Sequence, residues 1–358
     1  MSIKNIEQNR LYARPNNPLT AIIKYNKISA DILIHRVKLM KIKFWGVRGS
    51  IPTPLDSNEI YDKLKEALDL MTLHDVKSDS AKKAFLDSLP ISLRGTYGGN
   101  STCLQVIPDS GDTIIIDCGS GIKKLGNELM KTEFGRGEGN ANILITHTHW
   151  DHIQGIPFFM PFFVPGNRFT FYSPIKDLKK RIEYQQIFTH FPVNLDYMSS
   201  TKEFAELEGD SEFVLNGISI INKRFRHPGG SFGYRIEENG KTFCFTSDCE
   251  FNLDELDNIG SYESFFRNAD VCVFDAQYTF DESVNKIDWG HSSASIAIDI
   301  AARFGVKKLI LFHHGPDYND KKIEQVLANA KSYLSVNKQK KRSELEIDIA
   351  VEGSILEI

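Results

Sequence analysis

From residue 41 onward, short apolar runs recur along the chain, and stretches with apolar residues at helical spacing lie between some of them. The runs predict strands over Lys41–Gly46, Thr102–Ile107, Thr113–Asp117, Asn142–Thr146, Phe169–Tyr172, Ile218–Phe225, Phe232–Ile236, Thr242–Thr246, Val271–Phe274, Lys308–Phe312 and Ile347–Val351. The amphipathic stretches predict helices over Glu59–Leu73, Ser80–Leu89, Ile122–Met130, Ile175–Gln186, Ser292–Phe304 and Lys321–Leu334. Consecutive strands early and again mid-chain, with helices between them, indicate an α/β architecture with mixed sheets. The helical block 56–94 falls between two Gly-rich segments, Gly46–Pro54 and Gly95–Thr102, and reads as an insertion. Residues 1–39 are polar, carry Pro15-Asn16-Asn17-Pro18 and show no period, so they read as an N-terminal extension to a functional domain spanning 40–358.

Composition adds limits. The chain has 358 residues, enough for a sizeable core, and 25% of them are charged. The net charge of −4 does not by itself attract a long nucleic acid, whose binding is largely electrostatic, so a polymer partner is not expected. A small anionic substrate held by metals and a few side chains remains compatible. The five cysteines form no C-x-x-C pair and are an odd number. They read as small buried apolar residues in a reducing, cytoplasmic protein rather than as a disulfide framework. No apolar run approaches the roughly 18 residues of a membrane span.

The chemistry concentrates after the strand Asn142–Thr146, in His147-Thr148-His149-Trp150-Asp151-His152. Three imidazoles and a carboxylate within six positions are the donors that borderline divalent ions prefer. His147 and His149 can serve one ion, and Asp151 and His152 its neighbour. Further donors stand at strand ends downstream: His227, Asp248, and His313 or His314. A carboxylate at Asp248 can bridge two ions.

The order H-x-H-x-D-H, then His, Asp and His, each after a strand, resembles the metallo-β-lactamase superfamily from about residue 41 to the C-terminus. The resemblance implies a four-layer αββα sandwich with metals at one edge. Ile115-Ile116-Asp117-Cys118-Gly119-Ser120-Gly121 and Gly290-His291-Ser292-Ser293-Ala294 are similar to segments of the tRNase Z and phosphodiesterase branch. Phe44–Pro52 and Tyr97–Thr102 resemble a bacterial and phage group within it that includes cyclic-nucleotide phosphodiesterases. Carried over by position, His147, His149 and His227 would hold one metal and Asp151, His152 and His313 the other, with Asp248 bridging. Zinc suits these donors, and manganese is the alternative. Asp151 would also hold the attacking hydroxide. His291 would act on the leaving side, oriented by Asp275. Arg48, Asn100 and His314 are candidate substrate contacts.

Three functions compete on this reading. The favoured one is a two-metal phosphodiesterase that hydrolyses a small phosphodiester, a 3′,5′-cyclic nucleotide, through a metal-bridging hydroxide. The second is a tRNA 3′-end endonuclease, but Phe162–Phe213 lacks a Gly-rich basic arm for gripping tRNA. The third is a non-catalytic metal-binding module, against which the full ligand set weighs. A homodimer is expected from the branch.

Overall fold

The computed structural model describes residues 39–109, 111, 113–341 and 344–358, all of them within the compact unit Leu39–Ile358. The expected extension 1–39 therefore lies, apart from Leu39, outside the described residues. Among the described residues, fourteen strands form two sheets. They are β1 (Lys41–Gly46), β2 (Cys103–Ile107), β3 (Thr113–Ile116), β4 (Asn140–Leu144), β5 (Arg168–Ser173), β6 (Thr201–Glu206), β7 (Glu212–Leu215), β8 (Ile218–Phe225), β9 (Ser231–Glu238), β10 (Lys241–Phe245), β11 (Val271–Asp275), β12 (Lys308–Phe312), β13 (Glu346–Ile349) and β14 (Ile355–Glu357).

One sheet has the order β14-β1-β2-β3-β4-β5-β6 and the other β13-β12-β11-β10-β9-β8-β7. In the first, β14 through β3 pair antiparallel and β3 through β6 parallel. The second repeats this plan: β7 through β10 are antiparallel and β10 through β13 parallel.

Side-chain alternation along the strands builds three apolar layers. Ile114, Ile116, Phe243, Phe245, Val271, Val273, Ile310 and Phe312 meet between the sheets. The intervening residues point the other way. Ile115 joins Ile143 and Leu125 outside the first sheet, and Cys272, Phe274, Leu309 and Leu311 join Ile298 and Ala301 outside the second. Each such buried aliphatic or aromatic side chain contributes about 1.5–3 kcal/mol. The result is the expected αββα sandwich.

The helices include α1 (Ser57–Leu70), α2 (Asp79–Ser88), α3 (Ile91–Arg94), α4 (Ile122–Leu129), α5 (Trp150–Ile153), α6 (Leu178–Gln185), α7 (Leu253–Asp257), α8 (Glu263–Phe266), α9 (Phe280–Asn285), α10 (Ala294–Arg303) and α11 (Asp320–Lys341). The segment 56–94 is helical as expected. Asp56 starts α1 with a capping box, accepting from the Asn58 and Glu59 N–H groups while Glu59 accepts from the Asp56 N–H. All five cysteines are free and buried. Among the described residues no helix is long and apolar enough to cross a membrane.

The alternation did not predict β6, β7 or β14. Each lies at the edge of a sheet, where one flank meets solvent and charged residues such as Lys202, Glu203 and Glu212 interrupt the apolar pattern.

Candidate metal centre

The sandwich brings six strand ends to one edge. Asp117 follows β3, the His147–His152 segment follows β4, and His227 follows β8. Asp248 follows β10, Asp275 ends β11, and His313 follows β12. Asp151 and His152 sit on the short helix α5, which turns them back toward the sheet edge.

Among the described residues three overlapping groups of donors result, the third of them Asp248, Asp275, His291 and His313. In the first, the rings of His147, His149 and His227 face one another with centroids 4.6–4.8 Å apart. His227 Nε2 lies 2.9 Å from His149 Nδ1, so both nitrogens address the same point. The second group is Asp151, His152, Asp248 and His313. His152 Nε2 is 3.3 Å and His313 Nε2 3.2 Å from Asp151 Oδ2. Asp248 reaches both of these groups. Its Oδ2 is 3.6 Å from His147 Nε2 and 3.8 Å from His227 Nε2, while its Oδ1 is 3.2 Å from both His152 Nε2 and His313 Nε2.

The donor atoms fit divalent ions. His147 Nε2, His152 Nε2 and Asp248 Oδ1 are buried and make no hydrogen bond within the protein, a costly arrangement unless something else satisfies them. Imidazole and carboxylate without thiolate is a donor set for zinc or manganese. Among the backbone conformations here that L-residues adopt at a cost are Ser247 at φ 57° and His313 at φ 63°. They set the angles of Asp248 and of the His313 ring.

Hydrogen bonds behind the donors fix the rings. His227 Nδ1 donates to the Gly290 carbonyl at 2.8 Å, which leaves Nε2 free. The Gly290 N–H is held in turn by Glu250 at 2.9 Å. His152 Nδ1 donates to Asp117 Oδ2 at 2.7 Å, and the same carboxylate accepts from the Thr146 N–H and hydroxyl at 2.9 and 2.7 Å. Asp151 Oδ2 accepts from the Ser50 N–H at 2.8 Å. Asp117 and Glu250 were not singled out as site residues from the sequence. For Asp117 a signal existed, a lone carboxylate directly after an apolar strand in Asp-Cys-Gly. For Glu250 none did.

Electrostatics follow from burial. Burial pushes His147 well below the usual imidazole range, and His227 down to about 4 against the opposing pull of Asp248. Burial also disfavours a charged His152, but Asp248, Asp151 and Asp117 overcome it and hold its pKa well above the usual value. His291 is likewise buried, yet the Asp275 carboxylate lifts it to about 9. Its Nδ1 donates to Asp275 Oδ2 at 2.9 Å, and its ring stacks on His313 with centroids 5.0 Å apart. Asp275 also accepts from the Cys249 and Gln277 N–H groups, both at 3.1 Å, so the carboxylate is fixed.

The three candidate substrate contacts are each bonded to neighbouring loop groups. Arg48 is 1% exposed, and its guanidinium donates to the carbonyls of Gly98, Gly315 and Tyr318, tying loops together. His314 is buried, bonded through Nε2 to the Ala350 carbonyl, and burial drives its pKa to about 3. Of the His313-His314 pair, the geometry therefore turns His313 into the site. Asn100 donates to Glu352 and accepts from the Ser120 hydroxyl, a loop-bracing role. In each case neighbouring loop groups take some of the polar atoms that a substrate contact would use.

Two mixed sheets between helical layers, with histidines and aspartates gathered at one edge, define a metal-dependent hydrolase of the metallo-β-lactamase fold. Ribonuclease Z of Bacillus mycoides (strain KBAB4) is 26% identical over 284 residues, which cover 66% of this chain and 89% of that protein. The metallo-beta-lactamase fold protein YhfI from Bacillus subtilis has the same fold, with a TM-score of 0.58 at 17% identity over 90% of this chain and 100% of that one. Human tRNase Z, short form, does too, with a TM-score of 0.54 at 17% identity over 88% and 98% of the two chains. Residues 112–314, more than half of the chain, match the family described as Beta-lactamase superfamily domain. The chain belongs to that superfamily.

Proposed function

We propose that this protein is a two-metal phosphodiesterase whose substrate is a small phosphodiester, a 3′,5′-cyclic nucleotide. The observation that carries the reading is Asp248, which offers one carboxylate oxygen to each donor group, with the His291–Asp275 pair beside them. His147, His149 and His227 would hold one ion, Asp151, His152 and His313 the other, and Asp248 both. Divalent ions there would supply an acidified water and polarise a phosphate oxygen.

The chain's own residues supply orientation and a proton. Asp151, braced by the Ser50 N–H, would orient the attacking water. His291 is held through Nδ1 by Asp275, so Nε2 carries the proton it can give to the leaving oxygen. The Asp275 carboxylate favours a proton on this buried ring, which suits donation to a departing alkoxide. Because Nδ1 of His152 bonds to Asp117 and Nδ1 of His227 to the Gly290 carbonyl, Nε2 is the atom each ring would present to an ion.

Support for a small substrate comes from two sides. Between β5 and β6 the described chain forms α6 and a short 3-10 turn, and β6 then pairs directly with β5; this connection carries no Gly-rich run. The net charge is −4. The likeness to Ribonuclease Z favours a second reading, cleavage of precursor tRNA near its 3′ end. Zinc and a homodimer go with the first reading. A panel of cyclic mononucleotides, cyclic dinucleotides, bis(p-nitrophenyl) phosphate and precursor tRNA, with zinc or manganese added, separates the two. Turnover of a cyclic mononucleotide is expected. Cleavage of precursor tRNA with no turnover of any cyclic nucleotide would replace the first reading with the second.

A further inference from the structure

One cation beside the site has aromatic rings for partners instead of acids. Lys286 directly follows α9, and its ammonium lies 4.5 Å from the centre of the Tyr278 ring and 5.5 Å from that of Trp289. Among the described residues no ion pair is found for it, and two of the acids near it in sequence are engaged elsewhere. Asp288 pairs with Arg226, and Glu282 is bound by Thr279 and Tyr318. An ammonium over ring faces is held in place by attraction to the ring's negative face, with no acid to cancel its charge. It is therefore positioned but not neutralised.

The rings connect it to the chemistry. Tyr278 is buried and stands edge-on to His291, with centroids 5.6 Å apart at 88°. Trp289 lies two residues before His291 and is 62% exposed, so one face of its indole is open. The loop between them does not drift, because Glu250 binds the N–H groups of both Asp288 and Gly290 at 2.9 Å. A fixed positive charge and an open aromatic face thus flank the histidine read above as the proton donor to the leaving group.

We infer that Lys286 and Trp289 form a nucleotide-recognition subsite beside His291, in which the ammonium binds a phosphate oxygen and the indole stacks on the base. The inference rests on the phosphodiesterase reading and deepens it. The ligand class is a planar heterocycle carrying phosphate, for which cation and ring contacts add.

Equilibrium binding of adenosine 5′-monophosphate and adenosine to the full chain tests it, by calorimetry or tryptophan fluorescence, with and without added zinc. Lys286→Ala is expected to weaken the monophosphate about tenfold, the scale of one charge-assisted contact. Lys286→Arg should recover most of that loss. Trp289→Ala should weaken both ligands. Equal monophosphate affinity in wild type and Lys286→Ala, with melting curves showing both folded, overturns the inference. So does an absence of binding to wild type at millimolar ligand. Turnover of bis(p-nitrophenyl) phosphate by wild type, measured in parallel, keeps the two levels apart. Turnover with nucleotide binding indifferent to Lys286 removes the subsite alone. No turnover of any phosphodiester removes the phosphodiesterase reading, and binding then decides the subsite independently.

Discussion

Replacing Asp117 by Asn isolates the charge behind the metal centre. Asp117 is fully buried and takes φ 60°, a conformation Asn tolerates almost as well as Asp, so the substitution adds little backbone strain. The wild-type carboxylate accepts three hydrogen bonds, from the Thr146 N–H, the Thr146 hydroxyl and His152 Nδ1. An amide has only one oxygen for them, and its NH2 must face a donor. The Thr146 hydroxyl can rotate away, but an amide NH2 turned toward His152 Nδ1 displaces the proton there and leaves the ring protonated on Nε2, the atom that faces Asp151 and Asp248. With hydrogen bonds to a charged group worth about 1.5–3 kcal/mol each and partly recovered by the amide, the net loss of stability should be about 2–4 kcal/mol. Metal affinity should fall about 10- to 100-fold, because the tautomer is no longer fixed. Urea unfolding in the presence of a chelator reads the first quantity, and zinc competition with a chromophoric chelator reads the second. A variant with the wild-type urea midpoint and wild-type zinc affinity would refute the reasoning, since it would mean that Asp117 neither braces Thr146 nor orients His152.

Other outcomes follow from the same geometry. His291→Ala should lower kcat by about 10²- to 10⁴-fold while metal content measured by elemental analysis stays intact; near-normal turnover would remove His291 from the leaving side. A Cβ on Gly49 would lie 2.5 Å from His313 Nδ1 and 2.7 Å from Gln277 Oε1, so Gly49→Ala should displace the His313 ring and weaken binding of one ion, which stepwise zinc titration resolves. Adding zinc to chelated protein should raise the melting temperature, because ions that bind only the folded donor set stabilise it by mass action; no shift at excess zinc would count against a metal centre. Burial lowers the pKa of Lys202 to about 8. The folded state therefore disfavours its charge at neutral pH, and the unfolded chain binds more protons between about 8 and the usual lysine value near 10.4. Wild-type stability should accordingly rise relative to Lys202→Met across that window, and parallel pH series of urea melts would show it.

How much of this was legible in the sequence depends on the range of the interaction. The short apolar runs placed β8 and β12 to the residue, and in β12 the run is continuous because its two faces meet different apolar layers. The donors at His147, His149, Asp151, His152, His227, Asp248 and His313 stood out because imidazoles and carboxylates clustered after apolar strands have few other uses. The edge strands β6, β7 and β14 did not, because pairing on one side only leaves little pattern. Only tertiary structure decided which oxygen of Asp248 faces which histidines, that His313 enters the site while His314 binds Ala350, and that Arg48 braces carbonyls. Adjacent residues such as His313 and His314 look alike in sequence. A φ of 63° at His313 and contacts reached through strands far apart in the chain send them to opposite surroundings, and that choice is made by the meeting of strand ends rather than by the residues themselves.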